Sequence, residues 1–426
     1  MILSTVRPWK GAPDDTCITP GLRHAGVVSE LDPENERSPI EPAALQTAAS
    51  RARGSLVWVL GGVGVVGLVA AVATSRSHAR AAATQDWPPF VLVTGLLLIG
   101  LVANDDGLFA TAGHQLARLA KSGRILFFGA TGVIGLVTAL LNLDTSVAFL
   151  TPVLVYTAKS RDDEEAPLLY GCLLLSNAGS LFLPGSNLTN LIVLGHSHLS
   201  GAAFLARMWA PALSALVVTA LVVAVFERRA LTANTDELEQ PPPPVLGLGL
   251  VAVILATVLV VTLHNPALPV VTVGAVVVGI RLAIGKEKPR RVIEVLGAPS
   301  LVGLFGIAVA LGTVGRTWSG PATLLSHLDL WGTAVVAAVS SVLVNNLPAA
   351  SLLAARTPRH PFALLIGLNL GPNLFVSGSL AWLLWFRAAK AAGAHPSITR
   401  ASRIGLVAVP LAMAAALGLL VLTGTS

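Results

Sequence analysis

Five segments of about 18–20 residues run almost without charge: Leu56 to Thr74, Met208 to Phe226, Val245 to Leu263, Ala267 to Ile284 and Ile404 to Leu422. A helix of that length crosses the hydrocarbon core of a bilayer, and a chain carrying several of them must satisfy its backbone hydrogen bonds inside helices. Phe90 to Ala103 and Leu301 to Val314 are shorter but continue into weakly polar flanks, and they count as further spans. Four more apolar segments are interrupted by Gly, Ser, Asn and Pro. With 54% apolar and 12% charged residues and a mean hydropathy of +0.75, the chain falls outside the range of soluble globular domains. The expected fold is an all-α, polytopic integral membrane protein.

Residues 1–54 are a different material, rich in Pro, Asp, Glu and Arg, and predict a disordered cytoplasmic tail. A first transmembrane repeat over 55–229, a Pro-rich cytoplasmic linker over 230–243 and a second repeat over 244–426 come after it. The net charge of +6 is assigned to basic loops on the cytoplasmic side and not to nucleic-acid binding. With the tail inside, sixteen Lys and Arg residues after it fall in the cytoplasm, among them Arg118, Lys159, Arg228, Lys286 and Arg400. Six fall outside: Arg76, Arg80, Arg207, Arg316, Arg356 and Arg359. That bias requires Ile125 to Ala158 and Leu330 to Ala355 to enter and leave on the same face, as re-entrant hairpins. The C-terminus is then extracytoplasmic, and the protein is placed in the plasma membrane. Cys17 and Cys172 match no metal or disulfide spacing.

The halves repeat each other with opposite orientation. In each, a span, a charged linker and a shorter span lead to a hairpin, an interrupted segment and a plain span. The first hairpin turns through Asn142, Leu143, Asp144, Thr145 and Ser146. The segment after it is interrupted around Asn177 and Ser180, then at Ser186, Asn187, Thr189 and Asn190. The second hairpin turns at Asn345 and Asn346, and its follower is interrupted at Asn369 and Asn373, then at Ser377, Gly378 and Ser379. Small and polar residues of this kind can serve close helix packing alone. Four interruptions at matching places of inverted halves point instead to a secondary transporter with its site near the midplane. These residues are the candidate solute and ion ligands, because freed amides cradle a polar or anionic group while Asn and Ser oxygens hold a cation.

The run from Asn177 through Ser186-Asn187-Leu188-Thr189-Asn190, the Asn345-Asn346-Leu347-Pro348 turn, and Leu370-Gly371-Pro372 with Gly378-Ser379-Leu380-Ala381 resemble the arsenite efflux permeases. That family belongs to an ion-transporter superfamily shared with sodium/proton antiporters and di- and tricarboxylate carriers. The resemblance runs from about Trp87 to the C-terminus. It implies paired inverted repeats with re-entrant hairpins, a homodimer, and proton-driven efflux of trivalent arsenic or antimony species. A soluble ATPase partner is possible on the same grounds. The sequence departs from the family at Leu143-Asp144-Thr145, where Asn-Asp-Gly is usual, and at Asn369 and Asn373, where Asp and Lys are usual. The first half also lacks a counterpart of Val245 to Leu263.

The alternatives are a sodium/proton antiporter or a carboxylate carrier of the same architecture. No Lys or Arg stands at the broken segments, which favours a neutral or cationic solute such as undissociated arsenous acid. A membrane-embedded enzyme would need a nucleophile, base and metal set, and no H-E-x-x-H, G-x-S-x-G or paired intramembrane carboxylates occur. No cofactor is expected. His196 and His198 form an H-x-H without a third ligand, so no metal site is assigned. Asp105 and Asp106 are read as the end of a span, Asp162 to Glu165 as a solvated acidic run, and Trp382 and Trp385 as packing or anchoring residues. Asp144 is the sole acid expected deep in the membrane. An ionised carboxylate there costs roughly 2.5–3.5 kcal/mol on insertion scales, so it should be protonated, paired with a cation, or hydrated in a cavity.

Overall fold

The computed structural model describes residues 42–161, 163–195, 197, 199–232 and 247–424, of which 42–57 are described as helical backbone alone. Most of the tail, with Cys17, lies outside the described residues, as do linker residues 233–246, Asp162, His196 and His198. The chain divides into two units, Met1–Val59 and Leu60–Ser426. Of the first, only the helical run from Pro42 is described; the candidate site and the helices that build it belong to the second.

The long apolar runs are helices. The first half contains α1 (Pro42–Thr74), α2 (Arg76–Asp105), α3 (Leu108–Leu119), α4 (Gly123–Leu141), α5 (Leu143–Ser160), α6 (Ala166–Gly179), α7 (Leu188–Leu194) and α8 (Gly201–Phe226). The second contains α9 (Leu248–Thr262), α10 (Ala267–Ala283), α11 (Pro289–Leu296), α12 (Ala298–Thr317), α13 (Gly320–His327), α14 (Leu330–Val344), α15 (Asn346–Leu353), α16 (Pro361–Leu370), α17 (Leu380–Ala391) and α18 (Ile398–Leu422). Helices α2, α4, α8, α18 and the run Pro289–Thr317 are long and apolar enough to cross a membrane. The protein is thus all-helical, with two inverted repeats that each carry a hairpin (α4–α5, α14–α15) and a broken helix (α6–α7, α16–α17).

Two glycine crossings express the inversion. From Leu60 onward α1 lies on α12, where a Cβ at Gly64 would collide with the Gly303 backbone and one at Gly306 with that of Gly64. Its counterpart α10 lies on α2, where a Cβ at Gly95 would come within 2.6 Å of Val271 Cα and one at Gly274 within 2.7 Å of the Gly95 oxygen. The first span of each repeat is therefore pressed against the second span of the other. Small residues let backbones approach this closely where lipid provides no hydrophobic drive to association. Gly274→Leu should lower the melting temperature in detergent, since overpacking against backbone costs about 1–3 kcal/mol or more. Gly279→Leu, on the same helix with nothing within 4 Å of the added carbon, should melt as the wild type; equal melting of both variants would remove the crossing from the account of stability.

Helix α2 is longer than the span read from sequence. It starts at Arg76, capped by Ser75, whose hydroxyl accepts from His78 N at 3.4 Å. It then runs through the alanines at 81–83 and on through Pro88 and Pro89. The charged linker expected here is helix because Ala has the highest helix propensity and Pro removes a donor without obliging a turn when tertiary packing holds the axis. Pro211 and Pro410 likewise sit inside the continuous helices α8 and α18, which pack on each other.

Packing adds partners to one reading of charge and corrects another. Asp106 binds Arg281 at 2.7 Å and accepts Gly249 N at 2.7 Å, while Asp105 takes Arg291 in a two-pronged pair at 2.6 and 2.8 Å. The acids at the end of α2 thus dock α9, α10 and α11. Asp163 is buried against Arg161 at 2.9 Å, and Glu165 accepts His395 N at 3.0 Å, so this part of the acidic run is not a solvated face. Trp382 and Trp385 are buried, edge to face with centroids 5.9 Å apart, and their indole N–H groups donate to Pro372 O and Leu169 O. They pack the second broken helix against α6.

Candidate functional site

Each hairpin reverses through one asparagine. Asn142 (φ 133°, ψ 171°) and Asn345 (φ 76°, ψ 149°) are the only non-glycine residues with positive φ among the described residues, and both sit in a backbone region that L residues rarely adopt unless the surrounding structure holds them there. Asn142 Oδ1 then accepts Thr145 N at 2.7 Å, and Asn345 Oδ1 accepts Leu347 N at 3.4 Å. Each tip is therefore its own helix cap, and α5 and α15 begin at the next residue. Asn345 Nδ2 also donates to Ser377 O at 3.2 Å, and Ser377 Oγ to Val342 O at 2.6 Å, which fastens the second tip to the second break.

The breaks are built alike. After α6 the chain passes through a tight turn at Pro184–Ser186, and Asn187 caps α7 by accepting Thr189 N at 3.2 Å. After α16 it passes through turns at Gly371–Leu374 and Val376–Gly378, and α17 starts beyond Ser379. Gly378 lies over Pro372, where a Cβ would sit 2.5 Å from its Cα. Ser186 Oγ donates to Ala139 O at 3.1 Å and accepts Leu183 N at 3.2 Å, holding the first turn against α4.

The two breaks meet at Asn369. Its Oδ1 accepts Ser180 Oγ at 2.5 Å and Asn187 Nδ2 at 2.7 Å, while its Nδ2 donates to Asn190 Oδ1 and to Leu365 O, both at 2.8 Å. Asn190 Nδ2 in turn donates to Ser180 O and Leu183 O. Asn177 Nδ2 donates to Asn373 Oδ1 at 2.9 Å, and Asn373 Nδ2 to Leu174 O at 3.0 Å. Ser146 pairs with Ser176 at 3.2 Å. Asn177, Ser180, Asn190, Asn369 and Asn373 thus form one buried network between the repeats. Apart from Asn177 Oδ1, their side-chain polar groups are spent on each other and on nearby carbonyls, and they position the site more than they line it.

Five of the candidate residues do line a common cavity. Asp144, Asn187, Asn345, Asn346 and Ser379 surround it together with Leu143, Leu188, Leu304, Leu347 and Leu380. Its volume is about 20 Å³, room for a single water-sized group. Four helices, α5, α7, α15 and α17, start at its wall, so backbone N–H groups face inward. The longer of them, α5, α15 and α17, add the positive end of their dipoles. Asp144 is the one titratable side chain of that wall, and its carboxylate meets no hydrogen-bond donor or cation among the described residues. Ser379 Oγ in that wall, and Asn142 Nδ2, Thr145 Oγ1, Asn177 Oδ1 and Thr189 Oγ1 at the first tip and the first break, are buried without a hydrogen-bond partner. Buried polar atoms are rarely left so. Their concentration at the first tip and the two breaks marks where a solute's polar groups or a coupling ion would find their ligands.

A second buried acid escaped the sequence. Asp86 stands ten residues into α2 and is 1% exposed, with Oδ2 unpartnered, so Asp144 is not alone in depth. Its neighbour Gln85 and Arg316 of α12 were equally unsuspected. The available signal was the Ser75 cap followed by an alanine run that flows into Phe90, which makes Asp86 an interior helical residue.

Comparisons with known proteins agree with this architecture. Residues 51–376 match the family model described as citrate transporter, CitMHS. An arsenical pump membrane protein of Escherichia coli is 24% identical over 335 residues, covering 70% of this chain and 78% of that protein. The inner membrane protein YbiR of Escherichia coli (strain K12) is 27% identical over 316 residues, covering 72% and 81%. The crystal structure of the Alcanivorax borkumensis YdaH transporter, described as having an unusual topology, aligns with a TM-score of 0.50 at 16% identity over 80% of this chain and 86% of that one.

Proposed function

Because the chain belongs to the citrate transporter (CitMHS) family, a family of multi-pass membrane transporters, we propose that it is a secondary transporter exporting trivalent arsenic or antimony hydroxides in exchange for protons. The single observation that carries the solute class is the cavity wall, which holds one carboxylate, three asparagines, a serine and five leucines, with no Lys or Arg. The chemistry of that wall suits a small neutral trihydroxide, which enters once the wall parts beyond the water-sized space of this arrangement. Its hydroxyls donate to Asp144 and the Asn oxygens and accept from the helix N-termini, and nothing demands a net charge on the solute. The names of the arsenical-pump relatives support the same choice. Protonation of Asp144 from one side and release to the other would couple the two fluxes. The basic-residue bias supports a cytoplasmic N-terminus and an extracytoplasmic C-terminus.

Expression in an arsenite-hypersensitive bacterium tests this directly: growth should extend to higher arsenite and antimonite, with less arsenic retained in the cells. Unchanged growth across both series, with the protein present in the membrane, ends the reading. A second reading, a carboxylate carrier, draws on the convergent N-termini, since backbone N–H groups bind carboxylate without Lys or Arg. Citrate accumulation by vesicles that ignore arsenite would select it.

A further inference from the structure

Asp86 lies away from the central cavity, in the part of α2 that precedes Pro88 and Pro89. Among the described residues no cation lies within ion-pair distance of it, yet the charge of Arg316 on α12 acts on it. The Arg316 guanidinium is engaged elsewhere: Nη1 donates to Gly312 O at 2.9 Å and Nη2 to Gln85 Oε1. Gln85 is itself a bridge. Its amide nitrogen donates to Ile192 O at 2.8 Å, in the last turn of α7, and to Ala354 O at 3.2 Å, just past α15. These two short helices come from opposite repeats, and both begin at the central cavity. Arg356 Nη2 donates to Arg316 O at 3.1 Å, closing the cluster around the far end of α15. Gln85 also lines a cavity of about 260 Å³ with Thr84, Pro184, Ser197 and His264.

We propose that Asp86 is a second proton-carrying carboxylate of the transport cycle, and that through Arg316 its charge decides whether Gln85 clamps α7 to α15. One guanidinium is bonded to the Gln85 amide oxygen and feels the charge of the Asp86 carboxylate at the next residue of the same helix. A charge-assisted bond to a carboxylate is roughly twice as strong as one to a neutral acceptor, so ionised Asp86 draws Arg316 to itself. Gln85 then loses the bond that fixes its oxygen and with it the orientation of its amide hydrogens. Protonated Asp86 carries no charge to draw the guanidinium and leaves Arg316 on Gln85, which is the arrangement in this structure. Release of the clamp frees the ends of two helices whose starts form the solute cavity, so a proton taken at Asp86 is felt at Asp144 without contact between them. The element biased is a two-state one, as coupling between separate sites requires.

Few other charges reach this end of α2. Helix α12 brings Arg316 and the segment after α15 brings Arg356, the α9–α10 turn brings His264 to the adjoining cavity, and α2 itself carries His78 and Arg80 a turn or more earlier. Helices α7, α9 and the start of α10 bring none.

The proposal rests on the reading of the chain as proton-coupled, but its test requires no solute. Hydrogen exchange of the full chain in nanodiscs, corrected for the intrinsic pH dependence of amide exchange, is followed at the ends of α7 and α15 as pH rises. In the wild type, protection there should fall about tenfold as the clamp opens, the worth of one hydrogen bond to a charged group. Asp86→Asn should stay protected and independent of pH, whereas Arg316→Gln should be unprotected and independent of pH. Asp86→Glu should restore the transition, and His264→Gln should leave it in place. A wild-type profile in Asp86→Asn, or a transition that moves with His264, overturns the proposal. If the transition behaves as stated while arsenite and antimonite are not carried, the clamp stands and the solute assignment falls.

Discussion

Vesicles carrying Asp144→Asn should lose pH-driven uphill transport, to below about a tenth of the wild-type rate, while still exchanging solute down its gradient. A lone carboxylate enclosed at membrane depth is expensive in its ionised form, by roughly 2.5–3.5 kcal/mol on insertion scales. It is tolerated when its charge is used in the cycle, and no donor or cation among the described residues neutralises it. Asn keeps the shape and one acceptor oxygen but cannot exchange a proton, so coupling goes and the cavity stays. Capping is not at stake, because the cap of α5 is Asn142 and Asp144 lies inside the first turn. Only the favourable interaction of an anion with the helix start is forfeited, about 0.3–1 kcal/mol. The measurement is arsenite flux into everted vesicles with an imposed pH gradient, beside isotope exchange at equal pH. Uphill transport at the wild-type rate in Asp144→Asn would remove Asp144 from the coupling path.

Asn369→Ala should cost both transport and stability. All four hydrogen-bonding capacities of the Asn369 side chain are used, three of them on Ser180, Asn187 and Asn190 of the other repeat. Ser180 retains Asn177 O at 2.7 Å, and Asn190 Nδ2 retains two carbonyls. Asn187 Nδ2 and Asn190 Oδ1 lose their partners, at about 1–3 kcal/mol for a group left buried and unsatisfied. The sum, several kcal/mol before any relaxation, should appear as a clear fall in melting temperature in detergent. Asn187 also caps α7 and borders the cavity, so transport should drop by more than about tenfold even at temperatures where the variant remains folded. Wild-type melting together with wild-type flux would show the network to be dispensable. Asn369→Asp probes the family difference at this position, because a carboxylate keeps the acceptor for Ser180 and Asn187 but places oxygen against Asn190 Oδ1 and Leu365 O.

Much of this protein is dictated by local sequence. Uncharged runs of span length can only be helices in lipid, because every backbone polar group must be satisfied within the segment. Asn at a hairpin tip can cap the next helix, so Asn142 and Asn345 announce the starts of α5 and α15, although the positive φ at each tip is held by the packing around it. The matched spacing of four interruptions likewise places two hairpins and two breaks, because an unwound segment at membrane depth must face protein or a cavity.

What the sequence could not decide is which polar residue meets which. Asn369 and its partners are separated by 179 to 189 residues; every buried Asn must find hydrogen bonds, but its side chain fits many partners equally well until the repeats dock. Only docking separated the residues that hold the site together, Asn177, Ser180, Asn190, Asn369 and Asn373, from those that line it. Asp86 is the clearest case. By hydropathy alone, Arg76 to Pro89 is a linker, and only packing of α2 against α7, α10 and α12 extends the helix through it and closes protein over a carboxylate. Local sequence fixes backbone conformation, through φ/ψ preference and the cost of unsatisfied amides, whereas burial of a charge is a property of what surrounds it and exists only once the chain has folded.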